Sequence, residues 1–429
     1  MVSSFCCTFT YKKASKTDLH RFVPAQLSLL TYVLPLPLIM HLTLGQLSTA
    51  LLLANSALTS ASALPEVEKR QTSYMSNAHA AISRLQQFYN NPYPGFWTTG
   101  WWNSANCLTL LAELRAHDNS DFLKGITDGP NGVFSTALAG QHRDSNGALA
   151  YDDFFDDELW WVVALIKTYD VTRKPKYLKA ATESFAVVAA NDGTDQPCGG
   201  IANAYPGEQY RVTSSTIATA LYVEAAALLA TRHPKKKDYY VQQALNQWQW
   251  LSSKMLIDGI IQGDSLVGNQ CTNNRAFLTY IEGTTISGLV ALAKATGDTS
   301  YLDTAESVAT ESINGDHGYP FAMVNQPYGI VQETCDPNLS CNADSAQFKG
   351  ILMRGLMELN HARPGAVGGR LPAFLKTNAD SIWSNSRGSD NLLGMRWAGP
   401  FNSPSDNNVA LAQHSSATMA LAMAAIVAK

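Results

Sequence analysis

The apolar periodicity of this 429-residue chain predicts an all-α protein, an (α/α)6 barrel in which six inner helices are surrounded by six outer ones. Helical segments are separated by clusters of Gly, Pro, Asn and Asp, and alternating strand patterns are almost absent. Short and long connections alternate, as six helical hairpins require. A solenoid of helical repeats is the alternative, but the segments share no repeat signature.

Twelve helical segments are predicted, and the connections between them alternate between short and long. Short turns lie at 171–174 and 297–298, and long connections lie at 191–213 and 257–279. Many helices are rich in Ala and other small residues, which permits the close packing of two concentric rings. The approximate bounds of the segments are 74–90, 102–117, 131–140, 156–170, 175–190, 214–231, 237–256, 280–296, 299–313, 342–360, 370–386 and 409–427.

The first 70 residues are predicted to be a signal and propeptide region. An apolar run after Met40 ends in the small-x-small sequence Ala61-Ser62-Ala63, which is typical of a signal cleavage site, so Met40 is a candidate initiator. The dibasic pair Lys69-Arg70 indicates propeptide processing and leaves 71–429 as a single catalytic domain. A membrane anchor built from 27–63 is the alternative, although neither apolar run there reaches the ~20 residues of a span.

The charge balance excludes some classes of protein. The chain has 31 basic and 35 acidic residues, a net charge of -4 and only 15% charged residues, which argues against disorder. A basic surplus for nucleic-acid binding is absent. Because residues 1–70 hold six basic and three acidic residues, the mature form carries a net charge near -7. The mature protein is therefore acidic, and the signal segment predicts that it is secreted. We expect a monomer. One glycosylation sequon is present, Asn338-Leu339-Ser340.

Five cysteines remain in the mature part, with no CxxC pair and no His at ligand spacing, so a structural zinc site is not expected. Cys335 and Cys341 enclose a turn-rich loop and are the first disulfide candidates in an oxidising compartment. Cys198 with Cys271 is a second candidate. Cys107 lies among apolar residues and is predicted to be a buried free thiol rather than a nucleophile.

Two long connections have an unusual composition. Segment 90–106 contains three tryptophans close to amide side chains, and segment 198–211 adds Tyr205. Aromatic faces beside hydrogen-bonding groups suit carbohydrate, whose rings have apolar faces and polar edges. A single Trp usually belongs to the core, but three within six residues favour a binding cleft.

The most informative segment is a run of acids before an apolar helix. Asp156 and Asp157 are followed four residues later by Trp160 and Trp161, which places an indole one turn below each carboxylate. Helix capping explains some of the acids, and Asp152-Asp153 is the predicted cap. Neighbouring aspartates can reach the carboxyl separation of ~5–5.5 Å that a retaining glycosidase needs. Like-charge repulsion would raise the pKa of one of them.

The pattern Asp156-Asp157-x-x-Trp160-Trp161 resembles the catalytic signature of glycoside hydrolase family 76, the fungal and bacterial endo-α-1,6-mannanases, which have an (α/α)6 barrel. The resemblance covers about residues 74–427. Its further matches are Trp101-Trp102-Asn103-Ser104-Ala105-Asn106, Cys198-Gly199-Gly200, the turn from Tyr280 to Gly283 with the helix end Ala295-Thr296-Gly297-Asp298, and Asp344-x-x-x-Phe348-Lys349-Gly350-Ile351-x-x-Arg354.

The resemblance implies that Asp156 is the nucleophile and Asp157 the acid/base of a double displacement on α-1,6-mannan, without a cofactor. The residues that it implies in substrate binding are Trp102, Asn103, Asn106, Trp160, Trp161, Arg211, Tyr280, Glu282, Asp344 and Lys349. Two positions depart from the family pattern: Arg211 stands in a segment that is often Lys-Asn, and Ile281-Glu282 replaces Asn-Gln. These departures predict altered contacts with sugar hydroxyls.

Several alternatives stay open at this point. Asp344 and Lys349 either bind sugar hydroxyls or form a structural ion pair, and Arg354 is expected to be structural. No calcium loop, P-loop or zinc protease pattern appears, so no cofactor is implied.

The function also has alternatives. A cell-wall transglycosylase of the same family would transfer the glycosyl group to a glucan. Relatives with that role tend to carry a C-terminal lipid-anchor signal, which segment 415–429 resembles only superficially because it lacks a polar spacer. A non-catalytic carbohydrate-binding barrel is the third candidate, and the intact Asp156 and Asp157 speak against it.

Overall fold

The computed structural model describes residues 63–89, 96–97, 100–141, 154–193, 196–273, 275–314, 323–325 and 329–429, with only the backbone of 63–72 and 209–210. The predicted signal region and the predicted cap Asp152-Asp153 lie outside these residues. Within them there are thirteen α-helices, and their bounds are α1 Ala63–Leu85, α2 Trp101–His117, α3 Asp121–Thr127, α4 Val133–Ala139, α5 Phe155–Thr172, α6 Pro175–Ala190, α7 Thr216–Arg232, α8 Lys237–Lys254, α9 Thr279–Thr296, α10 Ser300–Asn314, α11 Phe348–Ala362, α12 Leu371–Asn385 and α13 Asn407–Val427.

Six of these helices form a closed inner ring. In ring order they are α2, α5, α7, α9, α11 and α13, and α13 packs back against α2. The helices α1, α6, α8, α10 and α12 lie outside them, and the short helices α3 and α4 take the place of the sixth outer helix. The predicted all-α (α/α)6 barrel is therefore confirmed.

The two rings differ in how their sequences are buried. The inner helix α7 is buried from Thr216 to Ala230, and this explains its Ala-rich composition, since every face meets another helix. The outer helix α6 buries one stripe, on which Tyr177, Ala181, Phe185 and Val188 recur at helical spacing. Inner helices are therefore buried on every face, whereas outer helices bury one apolar face.

The last inner helix, α13, is joined to the first outer helix, α1. His414 of α13 accepts a hydrogen bond from the Leu393 backbone N–H through Nδ1 (3.0 Å), so its Nε2–H donates to the Ala81 carbonyl of α1 (3.0 Å). Complete burial lowers the pKa of His414 to about 4, which keeps its imidazole neutral at pH 7. The contact joins residues 333 positions apart in the chain.

Seven short strands are described, all in the long connections: β1 Thr213–Ser215, β2 Leu256–Ile257, β3 Ile260–Ile261, β4 Ser265–Val267, β5 Thr272–Asn273, β6 Val324–Asn325 and β7 Ile330–Val331. They pair antiparallel, in the order β1-β4-β5, β2-β3 and β6-β7. Strands of two or three residues are too short to give an alternating sequence pattern, which is why the sequence did not predict them.

Both predicted disulfides are present. Cys198–Cys271 and Cys335–Cys341 have Cα–Cα distances of 5.4 and 4.9 Å. The first joins the connection before α7 to the connection before α9, so it ties together two loops at the same end of the barrel. Cys107 is free and buried, as predicted, and burial raises its pKa to about 12, which keeps it an unreactive thiol.

Some helix bounds differ from prediction. Helix α1 begins at Ala63 rather than at 74, so the backbone of Lys69 and Arg70 is part of this helix. Helix α3 was not predicted, because seven residues interrupted by Gly125 give no clear periodicity. The segment predicted from 342 starts as a 3-10 turn, Ser345–Gln347, and becomes α-helical at Phe348.

One helix among the described residues has the length and composition of a membrane span. It is α13, Asn407–Val427, and 94% of its most apolar window is buried inside the protein. In this structure its apolar surface is covered by the other helices of the barrel.

Two glycines set the distance between α9 and α11. A Cβ added at Gly283 would lie 2.4 Å from the Ile351 carbonyl oxygen, and one added at Gly355 would lie 2.3 Å from the Gly283 carbonyl oxygen. Both distances are far below van der Waals contact. The two helices therefore approach each other more closely than any side chain would allow.

We predict that Gly283→Ala lowers the free energy of unfolding by about 2 kcal/mol or more, because the helices must separate to admit the methyl group. Gly125→Ala is the matched control: it is also in a helix, but an added Cβ meets nothing within 4 Å. The control should gain about 0.5–1 kcal/mol from better helix propensity. Urea unfolding followed by circular dichroism measures both, and equal effects would contradict the close-packing argument.

Candidate active site

The inner helices begin at one end of the barrel, which we call the N-terminal mouth. Tyr280 and Phe348, each in the first turn of its helix, stack on each other there (3.8 Å between centroids, 6° between planes). One turn further into α5, Trp161 stacks on Trp101 of the first turn of α2 (5.6 Å between centroids). The long connections with their strands are at the same end. All the site residues that the sequence predicts belong to this end or to the helix turns just below it.

Asp156 and Asp157 occupy the first turn of α5, and both are half-buried. The next acid, Glu158, is fully buried and accepts a hydrogen bond from Ser184 Oγ of α6 (2.9 Å), so it joins the inner to the outer ring. The run of acids therefore divides into a structural carboxylate and a pair that reaches the mouth. Carboxylates in a first turn are also favoured by the helix dipole.

Tyr280 lies among carboxylates at the mouth. Its hydroxyl donates to Asp264 Oδ1 (3.5 Å), and its pKa is raised well above the usual value by burial and by the charges of Asp264, Asp156 and Asp344. The Tyr280 hydroxyl therefore stays protonated and can donate to an acceptor. Burial also raises the pKa of Asp264, against the hydrogen bond from Tyr280.

Trp102 links this group to the neighbouring helix. Its indole Nε1–H donates to Oδ1 of the exposed Asp344 (3.0 Å), and its ring lies 5.8 Å from Trp160 and 6.2 Å from Phe348. The indole is 8% exposed, so only its edge reaches the surface. Trp102, Tyr280 and Asp344 thus stay as candidates for substrate contact, as the sequence predicts.

Other predicted contact residues lie beneath this surface. Trp161 is 0% and Trp160 2% exposed, and Trp161 Nε1–H donates to the Trp101 carbonyl (3.1 Å). The prediction that these two indoles contact a sugar directly is therefore wrong, because positions one helical turn below the mouth are buried in the barrel interior. The two rings form the floor on which Trp101 and Trp102 rest.

The two predicted asparagines are also interior. Asn103 Nδ2 donates to Gln347 Oε1 (3.0 Å), and Asn106 Oδ1 accepts from Arg354 Nη1 (3.0 Å). Both side chains are at most 1% exposed, so they do not reach a ligand at the surface. Asn103 joins α2 to the 3-10 turn Ser345–Gln347, and Asn106 joins α2 to α11. The expectation that Arg354 is structural agrees with its 0% exposure.

Arg211, Glu282 and Lys349 require the same correction. Arg211 Nη1 donates to the carbonyls of Asn191 (2.5 Å) and Ala204 (3.0 Å), so it pins the connection before α7. Glu282 is fully buried and accepts from the Ile261 N–H (3.2 Å), and burial raises its pKa. Arg211 and Glu282 therefore bond to the backbone of loops and not to a sugar.

Lys349 forms the structural ion pair that was left open, but with Asp336 and not with Asp344. It is 0% exposed and also donates to the Met395 carbonyl (2.5 Å). Asp344 and Lys349 therefore do not form a pair with each other: the Asp344 carboxylate is exposed, and the Lys349 ammonium is buried.

Asp264 is the site residue that the sequence did not predict. It lies in the long connection 257–279, and its carbonyl accepts from the N–H of Thr216, the first residue of α7 (3.0 Å). This contact brings Asp264 beside Tyr280 at the mouth. The available signal was a Gly263-Asp264 pair between short apolar stretches, which indicates a turn but not its position.

A row of buried charges lies deeper, below the indole floor. The Arg354 guanidinium lies 5.6 Å from the Trp160 ring centroid, and Lys167 pairs with Glu113 (2.9 Å) and Glu358. Glu224, 1% exposed, has no hydrogen-bond partner for either carboxylate oxygen. Burial raises its pKa to about 7, against the charges of Arg354 and Lys167 and together with those of Glu358 and Glu113.

A metal site is not indicated in the described part of the chain. The one His, Cys, Asp or Glu cluster there with suitable spacing is Cys335, Asp336 and Cys341. Its two sulfur atoms are joined in a disulfide and its carboxylate is paired with Lys349. Those groups are therefore already committed to other bonds.

A barrel of helical hairpins with adjacent half-buried carboxylates at an acidic mouth is typical of enzymes that act on glycosidic bonds. The family model of glycosyl hydrolase family 76 matches residues 67–429, so the chain belongs to this family and is an enzyme of the glycosidase class. A Schizosaccharomyces pombe protein described as a candidate mannan endo-1,6-α-mannosidase is 24% identical over 332 residues, covering 73% of this chain and 71% of its own length.

Solved structures share the fold. An inactive variant of the α-1,6-mannanase GH76A of Salegentibacter sp. HEL1_6, in complex with α-1,6-mannotetraose, superposes with a TM-score of 0.67 at 19% identity, covering 82% of this chain and 99% of its own. Dfg5 from Chaetomium thermophilum, in complex with glucosamine, also gives 0.67, at 18% identity, covering 83% and 89%. Both comparisons concern the fold, which confirms the architecture on which the site is built.

We predict that Glu224→Gln changes the pH dependence of stability. A buried carboxyl whose pKa rises from about 4.5 to about 7 on folding stabilises the fold at acid pH, and this stability is lost as the pH rises through 7. Glutamine resembles the protonated acid, so the variant should match the wild type near pH 4 and be more stable than it near pH 8. Thermal unfolding across this range is the measurement. A constant difference between the proteins at all pH values would show that Glu224 does not titrate there.

Proposed function

We propose that the chain is a retaining glycoside hydrolase that cleaves α-1,6-mannosidic linkages in mannan by double displacement. The observation that carries the proposal is the placement of Asp156 and Asp157 side by side in the first turn of α5, half-buried at the mouth. The Salegentibacter enzyme lends support, because its inactive variant carries substitutions at two adjacent aspartates.

The electrostatics of the mouth suit this reaction. The pKa of Tyr280 is raised by burial and by the charges of Asp264, Asp156 and Asp344, so these carboxylates surround one small region. A glycosidase transition state resembles an oxocarbenium ion, and nearby negative charge stabilises its developing positive charge. The same charge repels anionic substrates, which favours an uncharged polysaccharide such as mannan.

The two steps assign one role to each aspartate. The Asp156 carboxylate attacks the anomeric carbon while Asp157 gives its proton to the departing glycosidic oxygen, which leaves a glycosyl-enzyme ester. Asp157, now ionised, then takes a proton from water, and the resulting hydroxide displaces Asp156 from the anomeric carbon. Two inversions give net retention. This assignment follows the family resemblance of the Asp156-Asp157 motif.

A cell-wall transglycosylase is the second candidate, and the fold similarity to Dfg5 favours it. It would form the same ester and pass the glycosyl group to a sugar hydroxyl instead of water. Products longer than the substrate, formed in the presence of an acceptor glycan, would identify it. A non-catalytic carbohydrate-binding barrel would bind mannan and release no product.

We predict that Asp156→Asn and Asp157→Asn each lower kcat on linear α-1,6-mannan by at least about a hundredfold, since each removes a charge or proton needed in the transition state. Released oligosaccharides are quantified by chromatography. Asp121→Asn is the matched control, because the Asp121 side chain is fully solvent-exposed on α3 and should leave kcat unchanged.

Asp264→Asn extends this experiment to the residue that only the structure indicates. We expect a rise in KM and a smaller fall in kcat than for the pair, because Asp264 borders the site through Tyr280. Wild-type protein that binds mannan without cleaving it would exclude the enzyme, and protein that neither binds nor cleaves would exclude mannan as substrate.

We also propose that the protein is secreted. Two disulfides and an exposed Asn338 in the sequon fit an oxidising secretory route. We predict that protein recovered from the culture medium of an expressing cell begins at Gln71, after Lys69-Arg70. N-terminal sequencing measures this, and protein that stays in the cell with residues 1–70 attached would contradict it.

A further inference from the structure

A pocket lies between the connection that follows α10 and the connection that follows α12. Its volume is about 240 Å³. The described residues that line it include Asn325, Ile330, Val331, Asp336, Arg396 and Trp397. Asp156, Asp157, Tyr280 and Asp344 are not among its lining residues, so it is distinct from the candidate active site.

Arg396 is the distinctive residue of this pocket. It is half-buried, and its side chain makes no hydrogen bond or ion pair in the described structure, with Nε shielded from solvent. Trp397, 1% exposed, also has an indole N–H without a hydrogen-bond acceptor. Unsatisfied donors in a partly closed site lower stability, and a ligand with several oxygen acceptors would satisfy them.

The opposite wall is held rigidly. Asp336 is paired with the buried Lys349, and its Oδ2 also accepts from the Glu333 N–H (3.2 Å). The Lys349 ammonium lies 4.9 Å from the Trp397 ring centroid, which fixes the indole as well. The Cys335–Cys341 disulfide closes the loop that carries Asp336. The pocket therefore has its shape before any ligand arrives.

The lining selects one chemical class. Ile330 and Val331 supply an apolar surface, while Arg396, Asn325 and Asp336 supply donors and acceptors. A pyranose has this combination of apolar face and polar edge. The two charged groups of the lining, the Asp336 carboxylate and the Arg396 guanidinium, are of opposite sign and act on each other, which favours an uncharged ligand. The small volume excludes an oligosaccharide.

We propose that this pocket binds a single neutral hexose unit of a polysaccharide outside the active site. The identity of that hexose as mannose rests on the proposed function. Phe348 stacks on Tyr280, and the next residue, Lys349, contacts Asp336 and Trp397 of the pocket wall, so the first turn of α11 supports both sites. A polymer held at both would gain affinity by local concentration, whereas a short oligosaccharide would not.

The binding test uses the Asp156→Asn/Asp157→Asn double variant, which prevents turnover. The protein is labelled with 5-fluorotryptophan, and the Trp397 signal among the nine tryptophans is assigned by loss in Trp397→Phe. Methyl α-D-mannopyranoside is the probe. We expect it to shift the Trp397 resonance, and Arg396→Gln to weaken this binding about tenfold.

Arg387→Gln is the matched control. Arg387 lies on the same connection, but it stacks on Trp383 (4.1 Å) and binds Asn391 Oδ1 (2.8 Å), away from the pocket. It should leave the affinity unchanged. Because the Arg396 side chain makes no hydrogen bond or ion pair with the described residues and meets Asp336 only through the attraction of their charges, Arg396→Gln should keep the melting temperature close to that of its parent, which separates lost binding from lost folding.

Three results would overturn the proposal: no Trp397 shift with the mannoside, a larger shift with inorganic phosphate, or equal weakening by both arginine variants. In otherwise wild-type protein, Arg396→Gln should raise KM for long mannan and leave hydrolysis of α-1,6-mannotetraose unchanged. A wild type that cleaves neither substrate while its Trp397 signal still responds to the mannoside would refute the proposed function and retain the pocket.

Discussion

The close packing of six helices that are buried on every side is the constraint on which the rest of this structure depends. Gly283 and Gly355 let α9 and α11 approach to a distance that no Cβ would permit. Polar side chains on the faces that these helices turn to one another are removed from the surface, as Asn106 and Arg354 are, and they bond to each other. Groups that must meet a substrate are thereby confined to the first turns and to the loops above them.

The architecture was predictable because its signals are local. Helical periodicity, Ala-rich stretches and alternating connection lengths survive in a single sequence, and they gave the barrel, its twelve principal helices and both disulfides. The errors have equally physical causes. Strands of two residues carry no alternation, and α3 is too short and too interrupted by Gly125 to show a period.

The site was predictable only where chemistry and helix position coincide. Asp156 and Asp157 stand in a first turn, where side chains reach the mouth. Trp161, Asn106 and Lys349 share the same motifs but point into the ring, and spacing along a helix does not reveal which faces are covered. Asp264 could not be found because a hydrogen bond from Thr216, 48 residues earlier in the chain, decides where its loop lies.

The packing of α1 against α12 and α13 bears on how the protein is made. Tyr74 bonds Asp380 and His414 bonds Ala81, so the first helix waits for partners more than 300 residues downstream. Contacts of such sequence separation form late and slowly. A growing chain therefore presents an open crescent of apolar helices until its final segment emerges.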